Sequence, residues 1–189
     1  MKITVFELED WERSAFEPLD SGDNELELLA DPLSVDNATE YADAEVISTF
    51  IYPRLDRPVL EKLDHLKLIA TRSTGYDHID LDYCAERGIA VANVPTYGEN
   101  TVAEHVFGLL LVLSHRLDQA IDRTRKGDFS PRGLQGFDLQ GRTMGVIGTG
   151  NIGQHVARIA RGFEMCVVAF DVKPDSEAAE RLGFEYVEF

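Results

Sequence analysis

The sequence predicts an α/β protein whose sheets are parallel and doubly wound. Two observations carry that class. Short β-branched apolar runs alternate with helical stretches along the first hundred residues, and a second alternating series opens at Thr143 with the glycine spacing G-x-G-x-x-G. Strands that alternate with helices join parallel neighbours through crossovers packed on the sheet faces. With 189 residues and 44% apolar content the chain is long enough for one large domain or two small ones with ordinary cores.

Taken in order, Ile3 to Phe6 is the first strand, a helical stretch covers Trp11 to Leu19, and a second strand lies near Leu26 to Leu29. Val46 to Tyr52 is the third strand, closed by Pro53, which supplies no ladder N–H. Val59, Leu60, Leu63 and Leu66 give Arg57 to Leu66 a helical spacing. Leu68 to Thr71 follows as a strand, Asp80 caps a helix that Gly88 ends, and Ile89 to Val94 is the fifth strand. Thr101-Val-Ala-Glu104 reads as a capping box opening a helix to about Leu117. Apolar residues cover nearly its whole circumference, so burial on most sides is expected. Asp118 to Arg142 is polar and glycine-rich, and is expected to be an exposed linker or an arm ordered against a partner.

The second series begins with the apolar strand Met144 to Ile147, after which Gly148, Gly150 and Gly153 fall in the dinucleotide-binding spacing. Gly148 permits the tight turn, Gly150 lets a diphosphate approach the backbone, and Gly153 lets the helix from Asn151 to Gly162 pack on the sheet. That helix aims its free N–H groups and positive dipole end at an anion. A second strand, Met165 to Phe170, leads to Asp171, 18 residues after Gly153, where a carboxylate accepts hydrogen bonds from ribose hydroxyls and repels a 2′-phosphate. NAD(H) is therefore expected over NADP(H), with Lys173 the one neighbour pulling the other way. A helix from Ser176 to Leu182 and the start of a third strand at Tyr186-Val187 complete the chain, so that one half of a nucleotide-binding sheet is present.

With 34 acidic and 18 basic residues the net charge is −16, which argues against nucleic acid or an anionic membrane as partner. Arginine outnumbers lysine 13 to 5, which together with the acidity hints at a salt-adapted source. Cys84 and Cys166 lack metal-ligand spacing and are expected to be buried, reduced thiols of a cytoplasmic protein. No signal peptide is visible, and the apolar stretch Val106 to Leu113 is too short to span a bilayer.

These residues resemble the D-isomer-specific 2-hydroxyacid dehydrogenases, and within them the D-lactate dehydrogenase branch. The likeness spans nearly the whole chain. It rests on Thr71-Arg-Ser-Thr-Gly-Tyr-Asp-His-Ile-Asp80, Val94-Pro-Thr-Tyr97, Thr101-Val-Ala-Glu-His105, and the Gly145 to Gly153 turn followed by Asp171. It implies a flavodoxin-like substrate domain at 1–99 and a Rossmann nucleotide domain at 100–189, truncated and carrying a dimerisation helix and arm at 100–142. In the family the active site lies in the cleft between the two domains.

By resemblance the backbone N–H groups of Thr74 and Gly75 hold the substrate carboxylate, as an anion nest would, and Tyr52 and Tyr97 line the pocket near a small side chain. Val102 touches the nicotinamide side of NAD. Thr149 belongs to the cofactor-binding turn, and Asn151 and Ile152 lie against the diphosphate. The implied chemistry is hydride transfer between nicotinamide and C2 of a small 2-oxo or 2-hydroxy acid, with a homodimer as the working form. The family's substrate-binding arginine, histidine acid and tuning glutamate are expected beyond Phe189, so the chain itself is expected to be inactive. Arg72 is the one nearby cation that could substitute, and the expectation is that it does not. The alternative function is a non-catalytic, NAD-responsive binding or dimerisation module resembling corepressors of this fold.

Overall fold

The computed structural model describes all 189 residues. They form two compact units, Met1–Tyr97 and Gly98–Phe189, and the architecture is α/β with parallel sheets.

In the first unit β1 (Lys2–Val5), β2 (Glu25–Leu28), β3 (Val46–Thr49), β4 (Leu68–Thr71) and β5 (Ala90–Ala92) make one sheet in the order β2-β1-β3-β4-β5, parallel throughout. The order reverses between β1 and β3, where the loops leaving the strand ends diverge and leave a crevice. Phe6, Ile47, Leu60, Leu63, Ile69 and Cys84 fill one face of this sheet, while Ile3, Val5 and Leu8 belong to a second cluster.

The helices of this unit are short. Only Arg13–Phe16 (α1) is α-helical within the stretch expected from Trp11 to Leu19, and a 3-10 turn at Glu17–Leu19 follows. Pro18 supplies no N–H to continue an α ladder. Similarly, α2 is the single turn Arg57–Leu60, after which Leu63 and Leu66 bond back to Leu60 and Leu63 at 3.2 and 3.4 Å. Leu60, Leu63 and Leu66 recur every third residue, the period of i to i+3 turns rather than of an α-helix. The helix Leu81–Arg87 (α3) follows its signals closely: the Asp80 carboxylate accepts the Tyr83 N–H at 2.9 Å, and Gly88 closes the end with φ +69°.

The second unit begins with α4 (Glu99–His115) and α5 (Leu117–Arg125), then carries the parallel strands β6 (Thr143–Ile147), β7 (Cys166–Phe170) and β8 (Glu185–Tyr186) with α6 (Asn151–Gly162) and α7 (Ser176–Leu182) between them. Ala103 and Phe107 of α4 share a core with Val156, Ala157 and Ala160 of α6, and Phe107 stacks on Phe163 at 5.4 Å between centroids. Small side chains on α6 let the two helices approach closely.

Four expectations are corrected in this unit. The capping box is absent: α4 starts at Glu99 after Gly98, Thr101 lies inside the first turn, and the Asn100 amide bonds the Glu104 carboxylate instead. Burial of α4 within the chain itself is one-sided, since Leu109 and Leu113 are 55% and 72% exposed while Ala103 and Phe107 are buried. Within the unit α6 is the helix that covers α4, and it covers one face. The segment taken as linker or arm contains α5, and its remainder is tied to the chain itself. Arg116 Nε donates to the Gln135 carbonyl at 2.9 Å, and the Phe137 N–H donates to the Ser114 carbonyl at 2.9 Å. Finally, Cys166 is exposed on its strand, whereas Cys84 is buried and its thiol is pushed up by that burial.

Gly136 is what lets this segment return. A Cβ built there would lie 1.8 Å from the Ser114 carbonyl oxygen, a backbone atom that cannot swing aside. Gly136→Ala is expected to destabilise the protein by about 1–3 kcal/mol through overpacking, while Gly98→Ala, with open space around it, changes stability by less than about 0.5 kcal/mol. Chemical denaturation of the two variants checks the contrast.

Candidate functional site

In the second unit the turn leaving β6 is built by backbone geometry. Gly148 sits at φ +89°, a left-handed value that glycine adopts without strain. A Cβ on Gly153 would stand 2.0 Å from the Gly148 carbonyl oxygen, so α6 meets the turn at a distance only glycine allows, and a Cβ on Gly150 would meet nothing within 4 Å. Gly150 precedes the first residue of α6 in an extended conformation. The N–H groups of Asn151, Ile152 and Gly153 stand in the first turn and have no partner within the helix. The Asn151 amide donates to Glu99 Oε1 at 2.5 Å, and the Ile152 side chain is exposed.

Asp171, at the end of β7, closes the turn from the other side. Its Oδ2 accepts the Thr149 N–H at 2.6 Å and the Thr149 hydroxyl at 3.1 Å, and its Oδ1 accepts the Lys173 N–H at 2.8 Å. Thr149 is buried and its hydroxyl also meets the Tyr186 hydroxyl at 2.7 Å. Chiefly the Thr149 N–H, then the Lys173 N–H, hold the Asp171 carboxyl below its ordinary value. A carboxylate offers about four acceptor sites, so Asp171 still has capacity for hydroxyl donors of a ligand. Residues, turn and carboxylate fit a dinucleotide.

In the first unit the crevice at the sheet's carboxyl edge is organised by a charged knot. Glu7 follows β1 at φ +55°, and its carboxylate accepts the Phe50 N–H at 2.7 Å and the Tyr52 N–H at 3.1 Å. These bonds pull the chain out of the sheet after Thr49, which is why β3 is shorter than the apolar run Val46 to Tyr52 implies. From the end of β4, Arg72 reaches across to donate to the Phe6 and Glu7 carbonyls at 3.0 and 2.9 Å and to Ser48 Oγ at 3.2 Å, with Nε 3.4 Å from Glu12 Oε1. Three bonds and an ion pair tie the guanidinium to the strand ends, although Nε itself has no hydrogen-bond partner.

A cavity of about 330 Å³ opens over this knot. Tyr52 and Tyr97 both line it, together with Trp11 and Phe50, and Glu7, Glu9, Glu12 and Arg72 supply its charge. Thr74 and Gly75 do not line it. They sit in the loop leaving β4, shaped by the Thr74 hydroxyl on the Val94 carbonyl at 3.0 Å and by Ser73 Oγ on the Gly75 carbonyl at 2.7 Å. Neither Thr74 nor Gly75 gives its backbone N–H to an acceptor in the chain. Val102 lies on the exposed side of α4. Glu7, Glu9, Trp11 and Glu12 were not anticipated as pocket residues. The available signal was their place immediately after the first strand, since loops at that edge of a parallel sheet carry ligand contacts.

The family model described as D-isomer specific 2-hydroxyacid dehydrogenase, catalytic domain, matches residues 3–186. This chain belongs to that family. Relatives of this dehydrogenase-family chain include the 2-hydroxyacid dehydrogenase homolog of Haemophilus influenzae, 39% identical over 100% of the chain and 57% of the relative. The D-lactate dehydrogenase of Escherichia coli is also 39% identical, over 100% of the chain and 58% of the enzyme. Among solved structures, the D-lactate dehydrogenase of Aquifex aeolicus, determined with NAD and lactic acid, superposes with a TM-score of 0.85 at 36% identity, covering 98% of this chain and 55% of that one. The chain therefore spans less than three fifths of the length of these relatives.

The Asp171 contacts give the 2-hydroxyacid dehydrogenase turn a pH signature. A carboxyl whose pKa is lowered by folding stabilises the protein above its ordinary value of 3.8 and loses that contribution as pH falls through the lowered value. Asp171→Asn is expected to be less stable than wild type near neutrality, with the gap closing as pH falls below the ordinary carboxyl value of 3.8. Denaturant titrations along that series test it, and a gap that stays constant would show that the carboxylate charge is not what holds the turn.

Proposed function

We propose that these 189 residues supply the substrate pocket and the dinucleotide turn of an NAD-dependent oxidoreductase acting on a small 2-oxo or 2-hydroxy acid of the pyruvate and lactate kind. The observation that carries this reading is the turn at 148–153 facing Asp171, in a chain of this family whose Aquifex relative was solved with NAD and lactic acid. In the proposed assignment Gly148, Thr149, Gly150, Asn151, Ile152 and Gly153 receive the diphosphate, Asp171 accepts the ribose hydroxyls, and Val102 borders the nicotinamide. Thr74 and Gly75 give their free N–H groups to the substrate carboxylate, and Tyr52 and Tyr97 flank its side chain. NAD(H), when bound, supplies or takes the hydride; the residues named hold and orient the reactants. Residues 1–97 carry the substrate role and residues 98–189 the nucleotide role.

Turnover by the family's route needs an arginine, a glutamate and a histidine that the resemblance places on none of these residues, and Arg72 is held at the strand ends and paired to Glu12. The chain by itself is therefore proposed to bind without turning over. Titration with NADH, followed by cofactor fluorescence, is expected to show binding that Asp171→Ala weakens roughly tenfold or more, the worth of hydrogen bonds to a charged acceptor. Addition of pyruvate is expected to leave NADH unoxidised. Equal binding by the variant, or rapid oxidation, would sink the assignment.

The working form is proposed to be a homodimer, and the support is the apolar face of α4 that α6 leaves open. Val106, Leu109 and Leu113 are exposed there, as is Ile121 on α5. Large exposed apolar patches mark association surfaces. A Leu109→Asp, Leu113→Asp double variant is expected to shift the protein to monomer in light scattering coupled to gel filtration, and a wild type that is already monomeric would count against the dimer. A cytoplasmic setting is part of the same proposal; no helix is long and apolar enough to cross a membrane.

A further inference from the structure

The cavity in the first unit has a charge that the proposed substrate class leaves unexplained. Three carboxylates line it and one cation. Glu12 is matched to Arg72, Nε to Oε1 at 3.4 Å, and its other oxygen accepts the Glu9 N–H at 3.0 Å. Arg72 gives Nη1 to Ser48 and Nη2 to the Phe6 and Glu7 carbonyls, while its buried Nε faces Glu12 as an ion pair with no hydrogen-bond partner. Glu7 is satisfied by two backbone N–H groups, but those are dipoles and leave its unit charge in place. Glu9 is exposed, and its carboxylate has no partner of any kind. The cavity therefore holds three carboxylates against one guanidinium, two negative charges in excess, and the guanidinium is already ion-paired to Glu12.

The rest of the lining is aromatic. Phe50 and Tyr52 stand edge to face with centroids 6.0 Å apart, and Trp11 and Tyr97 present further exposed rings. Aromatic faces with carboxylates beside them attract organic cations, guanidinium above all, and carboxylates repel a second carboxylate. The volume, about 330 Å³, exceeds what the methyl group of a lactate-sized substrate fills.

We propose that this cavity is a side-chain subsite selective for positive charge, so that among 2-oxo acids larger than pyruvate it favours a side chain ending in a guanidinium or ammonium group over one bearing a second carboxylate. Glu9 is the specificity-determining residue, because Glu7 and Glu12 are bound into the strand ends and Glu9 is not. The inference rests on the proposed 2-oxo acid reading for the substrate's own carboxylate, while the cation preference stands on the cavity alone.

Trp11 is the chain's single tryptophan and lines the cavity, which makes its emission a direct reporter of occupancy. The 189-residue protein is titrated at low ionic strength with four probes: 2-oxo-5-guanidinopentanoate, 2-oxoglutarate, agmatine and glutarate. The guanidino acid is expected to bind at least roughly tenfold more tightly than 2-oxoglutarate, agmatine to perturb Trp11 where glutarate does not, and added salt to weaken both cationic probes. Glu9→Gln is expected to shrink the guanidino preference several-fold with an unchanged unfolding midpoint. Tighter or equal binding of 2-oxoglutarate, silence of Trp11 toward agmatine, or a preference untouched by Glu9→Gln overturns the proposal. If agmatine binds and the guanidino 2-oxo acid gains nothing over it, the cation subsite stands and the 2-oxo acid reading of the first unit fails.

Discussion

A parallel strand ends with N–H groups that its neighbour no longer serves, and at both sheet edges of this molecule a carboxylate takes them over. Glu7, just beyond β1, accepts the Phe50 and Tyr52 N–H groups beyond β3. Asp171, just beyond β7, accepts the Thr149 N–H beyond β6 and the Lys173 N–H in its own loop. In each case the acid follows one strand and captures the chain leaving the adjacent one, so the two loops are fixed relative to each other. Buried or half-buried donors left unpaired cost on the order of 1–3 kcal/mol each. The same solution leaves negative charge at the place where ligands of parallel sheets bind, and that coincidence shapes both sites.

What could be read in the sequence follows from how local each signal is. The Asp80 cap and Gly88 stop of α3, the extent of α6, and the glycines at 148, 150 and 153 depend on residues a few positions apart, and they fell where the residues placed them. The shortening of β3 was not legible, because its cause is Glu7, 43 residues away from Phe50. Leu60, Leu63 and Leu66 carry a period of three that a helical template also fits, so the apolar pattern found the buried face and misjudged the winding. The capping box at Thr101 had suitable residue types, yet Gly98 offered an earlier start that the pattern of side chains does not encode. Cys166 illustrates the limit of hydrophobicity alone: β7 has period-two alternation, with Val167 and Ala169 buried, and Cys166 falls on the opposite phase.

The apolar girth of α4 misled in an instructive way. Its small and aromatic residues at 103 and 107 meet α6, and the returning segment is pinned at Gly136 against the helix's C-terminal end. Nothing else in the unit covers Leu109 and Leu113. A helix apolar all round demands burial on most sides, and the single chain meets that demand on one side only. The remaining apolar face is left open by the chain itself, so the pattern of α4 cannot be accounted for by the packing of this unit alone.

The pocket of the first unit shows how structural charge constrains selectivity. Removing the charge of Glu7 would release two backbone donors at the turn out of β3, and removing that of Glu12 would leave the Arg72 guanidinium, 16% exposed on its side chain, without its ion-pair partner. An uncompensated, largely desolvated cation is among the costlier defects a fold can carry. Two of the three carboxylates are therefore set by the requirement that the strand ends stay together, whatever ligand the pocket meets. Arg72, which in isolation reads as an anion receptor, is fixed by the same requirement and cannot reverse the sign of the cavity. The only charge free to vary without disturbing the sheet edge is that of Glu9, so any change in the ionic preference of this pocket has to pass through that side chain.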